Sequence, residues 1–150
     1  MDDLRVPESL KSGHEALYAG LKRAMREPDP TGASARRVMQ VMDGHMLREE
    51  KFALRPLGLL KALGRGETPA DLAQAASLVA ALKREMPQMV DEHRQIAELL
   101  RLLARDAEAQ GKPEYVELAE SMIIHAHVEE DVLYPAALLI GEYAALVRKD

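Results

Sequence analysis

The sequence predicts an all-α fold, and three observations support this class. Hydrophobic residues make up 47% of the 150 residues and charged residues 30%, proportions typical of a globular chain. Aromatic residues make up only 3%, and the helix formers Ala, Leu, Met, Glu, Arg and Lys dominate instead. Runs of β-branched residues are almost absent, and short segments rich in Pro and Gly separate long helical stretches. The length predicts a single domain spanning residues 1–150.

The helical stretches are delimited by three breaks, which are "REPDPTG" from Arg26, "LGRGETP" from Leu63 and "AQGKP" from Ala109. The apolar periodicity predicts helices at about 8–27, 34–53, 70–109 and 113–133, and a short final helix from Pro135 to near Val147. Pro87 predicts a kink or break in the third helix, because proline lacks an amide donor and clashes with the preceding turn. Short connections favour antiparallel neighbours, so the expected architecture is an up-down four-helix bundle with short connecting and C-terminal helices.

Charge and cysteine content exclude several functional classes. The net charge is −5 and the pI about 5.6, with acidic and basic residues interspersed, so we expect no nucleic-acid partner. The absence of Cys excludes disulfides, thiolate zinc sites and iron–sulfur clusters. No apolar run approaches the roughly 20 residues that span a bilayer, so no membrane partner is expected. The acidic, polar N-terminus does not resemble a signal peptide, and the expected location is cytoplasmic.

One motif is written twice. "GHMLREEKFALRP" begins at Gly44 and "IHAHVEEDVLYP" begins at Ile124, and each contains a His, a Glu four residues later, a second Glu and then a Pro. A further His precedes each motif, 31 residues before His45 and 32 before His125. That spacing suits one helix, a tight turn and a returning helix, which brings both imidazoles to the same level. The chain therefore predicts two half-bundles related by a pseudo-twofold repeat around a shared site.

Each of four His residues lies on the apolar face of a different predicted helix. A single core His is usually satisfied by hydrogen bonds, but four buried imidazoles are costly unless something binds them. A Glu four residues after a His lies on the same helix face and can share a metal site with it. The predicted metal ligands are His14, His45, Glu49, His93, His125 and Glu129. This set is too large for one tetrahedral zinc and fits two metals bridged by the two carboxylates.

Neighbouring polar residues offer alternative assignments. His127 and Asp131 also form a pair four residues apart, but their helix face is polar, so His127 is expected to be exposed or to lie behind the ligands. Glu50 and Glu130 are expected to be solvated or to accept hydrogen bonds that orient ligating imidazoles.

A tyrosine and three methionines also lie near the predicted ligands in the sequence. Tyr18 follows His14 by four residues, and its hydroxyl either points into the site or lies at the edge of the core. Met42, Met89 and Met122 are expected to fill the core rather than to bind metal.

At these residues the sequence resembles the hemerythrin-like family, the HHE cation-binding domain. The pattern H…HxxxE…H…HxxxE carries the resemblance, which extends from His14 to Pro135. The resemblance implies a non-haem di-iron centre in a four-helix bundle, with two iron ions bridged by an oxo or hydroxo group. It also implies that His14 and His45 hold one iron and His93 and His125 the other, with Glu49 and Glu129 bridging.

The third helix departs from that of true hemerythrins, which supplies two His four residues apart. Here Met89 precedes His93 and Ala97 follows it at that spacing. The missing imidazole argues against reversible oxygen carriage. The set instead resembles hemerythrin-like proteins of the mycobacterial type, some linked to peroxide decomposition, and iron-sensing relatives. A ferritin-like protein is disfavoured, because no His has a Glu three residues before it, and the zinc-protease motif HExxH is absent.

The function that this resemblance implies is a non-haem di-iron protein that binds or reacts with O2, peroxide or nitric oxide. The alternatives are a catalase-like enzyme, an iron or oxygen sensor and an iron-storage protein, and a structural zinc or metal-free bundle is the weakest. We expect a small ligand as the partner and a monomer or weak homodimer. No sequence feature separates enzyme from sensor.

Overall fold

The computed structural model describes residues 4–148, which are helical throughout apart from short connections and contain no strand. The all-α prediction is confirmed. The helices are α1 (Glu8–Met25), α2 (Pro30–Glu49), α3 (Leu60–Gly64), α4 (Leu72–Ala109), α5 (Pro113–Val128) and α6 (Tyr134–Arg148). Helix α4 contacts α2, α5 and α6, and α1 contacts α2 and α5. Among the described residues, no helix combines the length and apolar character needed to cross a bilayer.

Helix α2 begins at Pro30, four residues earlier than the periodicity predicts. The carboxylate of Asp29 accepts a hydrogen bond from the amide of Thr31 at 2.8 Å, which satisfies one of the free amides of the first turn. Pro30 occupies the first helical position, where its missing amide costs nothing. Local capping chemistry therefore starts the helix before its apolar face becomes visible in the sequence.

Of the kink or break predicted at Pro87, the break does not occur, because α4 runs without interruption from Leu72 to Ala109. A proline inside a helix costs about 3 kcal/mol. The helix is packed on both sides of this position, with Leu82 and Met89 completely buried. Burial of such side chains contributes about 1.5–3 kcal/mol each, which offsets the cost.

A π turn lies at each of the two repeated Glu positions, directly after Glu49 in the first copy and beginning at Glu129 in the second. Glu50–Leu54 extends α2, and Glu129–Leu133 joins α5 to α6 without a break in the helical backbone. After each turn, the residue before a proline donates its backbone amide to the carbonyl five residues earlier. The donors are Arg55, which bonds to Glu50, and Tyr134, which bonds to Glu129. Such π turns are frequent at functional sites, because the extra residue redirects neighbouring side chains.

Buried apolar side chains form two clusters: the first includes Leu54, Leu82 and Met89, and the second includes Leu21, Val38 and Ile96. In α4, Met89 packs in the first cluster, Ile96 in the second, and His93 lies between them. Helix α2 runs in the other order, from Met42 in the second cluster to the adjoining Ala53 in the first. The predicted ligands therefore lie between two apolar cores.

Candidate metal centre

The six predicted ligands converge between the two apolar clusters. Five of them are buried almost completely, and the side chain of His125 is 25% exposed. Their ligand atoms fall into two groups, in each of which all atoms lie within 4.8 Å of one another. The His14–His125 group contains His14, Glu49, His125 and Glu129, and the His45–His93 group contains His45, Glu49, His93 and Glu129. Both carboxylates belong to both groups.

The pairing of imidazoles differs from the one that the family resemblance implies. The ring centroids of His14 and His125 are 4.9 Å apart, and those of His45 and His93 are 4.6 Å apart. The resemblance implied His14 with His45 and His93 with His125. Helix α1 contacts both α2 and α5, and α4 contacts both as well, so helix contacts alone allow either pairing. The positions of the rings decide it, because they place His14 beside His125 and His45 beside His93.

Each carboxylate presents one oxygen to each group. For Glu49, Oε1 lies 3.0 Å from Nε2 of His14, and Oε2 lies 3.2 Å from Nε2 of His45. For Glu129, Oε2 lies 3.1 Å from Nε2 of both His14 and His125, and Oε1 lies 3.3 Å from Nε2 of His93. This is the arrangement that two bridging carboxylates require.

Within the cluster, protonated imidazoles balance the negative charge of the buried carboxylates. Burial alone lowers the pKa of His14, but its contacts with Glu129 and Glu49 outweigh burial and raise the pKa to about 10. For His93, too, burial lowers the pKa, but contacts with Glu129 and Glu49 outweigh burial and raise the pKa to about 10. Burial alone raises the pKa of Glu49, yet its contacts with Glu129 and the imidazoles hold that pKa well below its usual range. Protonated imidazoles thus supply the positive charge that metal ions would otherwise supply.

Three of the four imidazoles are oriented from behind by a carboxylate. In each case Nδ1 donates to a Glu, at distances of 3.0 to 3.4 Å, and Nε2 faces the cluster. The pairs are His14 with Glu50, His45 with Glu92 and His93 with Glu130. Such acceptors set the ring orientation and raise the basicity of a ligating imidazole. Of the two predicted roles for Glu50 and Glu130, the structure shows the orienting one.

Glu92 was not among the residues that the sequence singled out. It bonds His45 from the neighbouring helix and also pairs with the guanidinium of Arg48. It immediately precedes His93, and the corresponding position before His14 is Gly13. A search for residues shared by the two copies of the motif therefore does not find Glu92. Its position directly before a predicted ligand could have identified it.

His125 lacks an equivalent partner. Among the described residues nothing hydrogen-bonds its ring, and its buried Nε2 has no aligned partner although Glu129 is near. A buried ring nitrogen that lies beside a shared carboxylate and makes no hydrogen bond is available to bind a metal ion.

Tyr134 is a second residue that the sequence analysis did not identify. It is buried, its hydroxyl donates to Oε2 of Glu49, and its oxygen lies 3.2 Å from Nε2 of His93. Its ring stacks on that of His93, with centroids 5.6 Å apart. Burial and the nearby Glu49 raise the pKa of Tyr134, which keeps the hydroxyl protonated as a donor. The first copy of the motif has Leu54 at this position, so the repeat did not reveal it.

The other candidate residues do not belong to either ligand group, although Tyr18 lines a small cavity beside the ligands. The hydroxyl of Tyr18 points outward and donates to Asp43 at 2.9 Å. His127 and Asp131 are exposed. Met89 is buried in the first apolar cluster.

A small cavity of about 30 Å³ adjoins the ligands. Apart from the ligands, its walls are largely apolar, and they include Leu17, Leu21, Met42, Met46, Ile96 and Met122. Met42 and Met122 are core residues that also line this space. A cavity of this size holds one or two water molecules, or a ligand of similar size.

The fold and site define an all-helical protein with a buried His and Glu cluster that could hold metal. The chemistry of the donor set fits, because imidazoles bind late first-row metals and carboxylates bridge cations. Comparison of the chain with family models, curated proteins and solved structures found no match. The hemerythrin-like assignment therefore remains a prediction from the motif.

Proposed function

We propose that this cluster holds two iron ions and that the protein binds or reacts there with O2, peroxide or nitric oxide. The observation that carries the proposal is the position of Glu49 and Glu129, each of which offers one oxygen to each imidazole pair. Carboxylates in this position bridge two cations, and two imidazoles complete each group. Iron is chosen over zinc on the resemblance of the motif to the hemerythrin-like family.

The proposal includes an up-down bundle whose halves are related by a pseudo-twofold axis. Two features support it. The chain passes between the two apolar clusters in one direction along α4 and in the other along α2. A π turn follows Glu49 in one half and begins at Glu129 in the other. Each group then combines one imidazole from each half.

Two adjacent redox-active metals, when bound, supply the two electrons by which O2 and peroxide are interconverted. The residues of the chain prepare the place for this chemistry. The outer carboxylates hold three imidazoles with Nε2 facing the cluster, and Tyr134 holds Glu49 by donating to it. The apolar walls of the adjoining cavity favour a small uncharged ligand such as a diatomic over bulk water.

Iron binding tests the proposal directly. Metal-free protein loaded with Fe2+ under argon and desalted should retain two iron ions per chain, measured by elemental analysis. His125→Ala should retain fewer than two, because it removes a ligand. His127→Ala is the matched control, since this residue lies two positions away and is exposed, and it should retain two.

Two results would refute the proposal. One is wild-type protein that retains no iron. The other is protein that takes a single zinc ion in preference when both metals are offered. If His127→Ala loses as much iron as His125→Ala, the assignment of ligands in α5 is wrong.

A peroxide-decomposing enzyme is the second candidate function. The observation that favours it lies in α4, where His93 has no second His four residues away. Met89 and Ala97 occupy those two positions. Each group therefore has only two imidazoles and two shared carboxylates, which leaves more of each metal open to an exogenous ligand. Oxygen evolution from hydrogen peroxide by iron-loaded protein separates this candidate from a sensor that only binds its ligand.

A further inference from the structure

The two ligand groups differ in how their imidazoles are supported. In the His45–His93 group both imidazoles are buried, and both donate from Nδ1 to a carboxylate, Glu92 and Glu130. Tyr134 stacks on His93 and reaches the oxygen of Glu49 that faces this group. All of these contacts restrict the motion of the rings before a metal arrives.

The His14–His125 group is less well supported. His14 has the longest of the three outer hydrogen bonds, 3.4 Å to Glu50. His125 is 25% exposed, and nothing among the described residues hydrogen-bonds its ring. No tyrosine stands at the place that mirrors Tyr134 in the repeat, which is Leu54.

A comparison of the two copies of the sequence repeat shows why His125 lacks a supporting carboxylate. Glu92, which orients His45, immediately precedes His93, and the residue in the same place before His14 is Gly13. A Cβ built on Gly13 meets nothing within 4 Å, so this position has room for a side chain. Helix α1, which carries Gly13, packs on α5, which carries His125.

We infer that the two metal positions are unequal: the His45–His93 group binds its ion first and more tightly, and the His14–His125 group holds the exchangeable ion. This inference rests on the proposed function, since it assumes that both groups bind metal. Removing a carboxylate behind a ligating imidazole typically costs 10–100-fold in affinity. Because the first group has one such carboxylate more than the second, the two dissociation constants should differ by about 10–100-fold.

A calorimetric titration of metal-free protein with Fe2+ under argon measures the dissociation constants of both ions without relying on activity. Wild-type protein should show two binding steps. His125→Ala should retain the tighter step, and His45→Ala should lose it. Glu92→Gln should weaken the tighter step by about 10–100-fold, bringing the two together.

A gain-of-affinity variant supplies the complementary test. Gly13→Glu places a carboxylate where the other half of the chain has Glu92, and it should tighten the weaker step towards the stronger one. Gly13→Ala is the matched control, because it also replaces glycine by a better helix former but adds no carboxylate, and it should leave both constants unchanged.

The outcomes separate this inference from the proposed function. Failure of the wild-type protein to bind Fe2+ would overturn both. Two steps of equal affinity, or a tighter step lost in His125→Ala but retained in His45→Ala, would overturn the inference alone. A Gly13→Glu variant that leaves the weaker step unchanged would overturn the role assigned to this position.

Discussion

Replacing Tyr134 by Phe removes one buried hydroxyl and leaves the ring that stacks on His93. The hydroxyl donates to Glu49, which is 1% exposed and carries negative charge in the metal-free cluster. A hydrogen bond to a charged group contributes about 1.5–3 kcal/mol to stability, and the carboxylate loses a donor that water cannot replace. For a chain of this length the loss corresponds to a fall in melting temperature of about 4–10 °C.

The assay is thermal unfolding of chelator-treated protein, monitored by circular dichroism at pH 6, where His14 and His93 are protonated because their pKa values are raised to about 10. Tyr18→Phe is the matched control. Its hydroxyl donates to Asp43 at the surface, where such bonds contribute little, so its stability should change by less than about 0.5 kcal/mol. If Tyr134→Phe melts at the wild-type temperature, the hydroxyl does not hold Glu49 and the reasoning about this side of the cluster fails.

The remaining predictions concern pH and peroxide. The pKa values of His14 and His93 are raised to about 10 from 6.5, so the stability that their ion pairs contribute is fully present below pH 6.5 and lost as pH rises through 10. Urea unfolding of metal-free protein should therefore show falling stability between pH 6.5 and 10, and a constant or rising value would contradict the charge pattern described above. Iron binding should instead tighten over the same range, because ligands must release their protons, and a titration at several pH values measures this. If the peroxide-decomposing function holds, iron-loaded protein should evolve oxygen from hydrogen peroxide in an oxygen electrode, and Glu49→Ala or Glu129→Ala should abolish it by separating the two metals. Wild-type protein that leaves peroxide intact while binding O2 or nitric oxide reversibly would favour the sensor.

Much of the fold could be predicted because it depends on local information. The helix-forming composition and the segments rich in Pro and Gly predicted helices whose ends the structure places within a few residues. The paired motif, with its two His-x-x-x-Glu units, singled out six residues that the structure brings together. Periodicity places a side chain on the core face of its helix, and four core-facing imidazoles in a small chain have few places to meet.

The tertiary structure decided what depends on contacts between distant parts of the chain. Continuity of α4 through Pro87 follows from packing on three other helices, which a local rule for proline does not include. The pairing of His14 with His125 depends on where the rings lie in three dimensions, because α1 contacts both α2 and α5. Glu92 and Tyr134 act on imidazoles and carboxylates of other helices, and neither occurs in both copies of the motif. A repeated motif shows which residues its two copies share, whereas the contacts of residues that occur only once depend on how the helices pack.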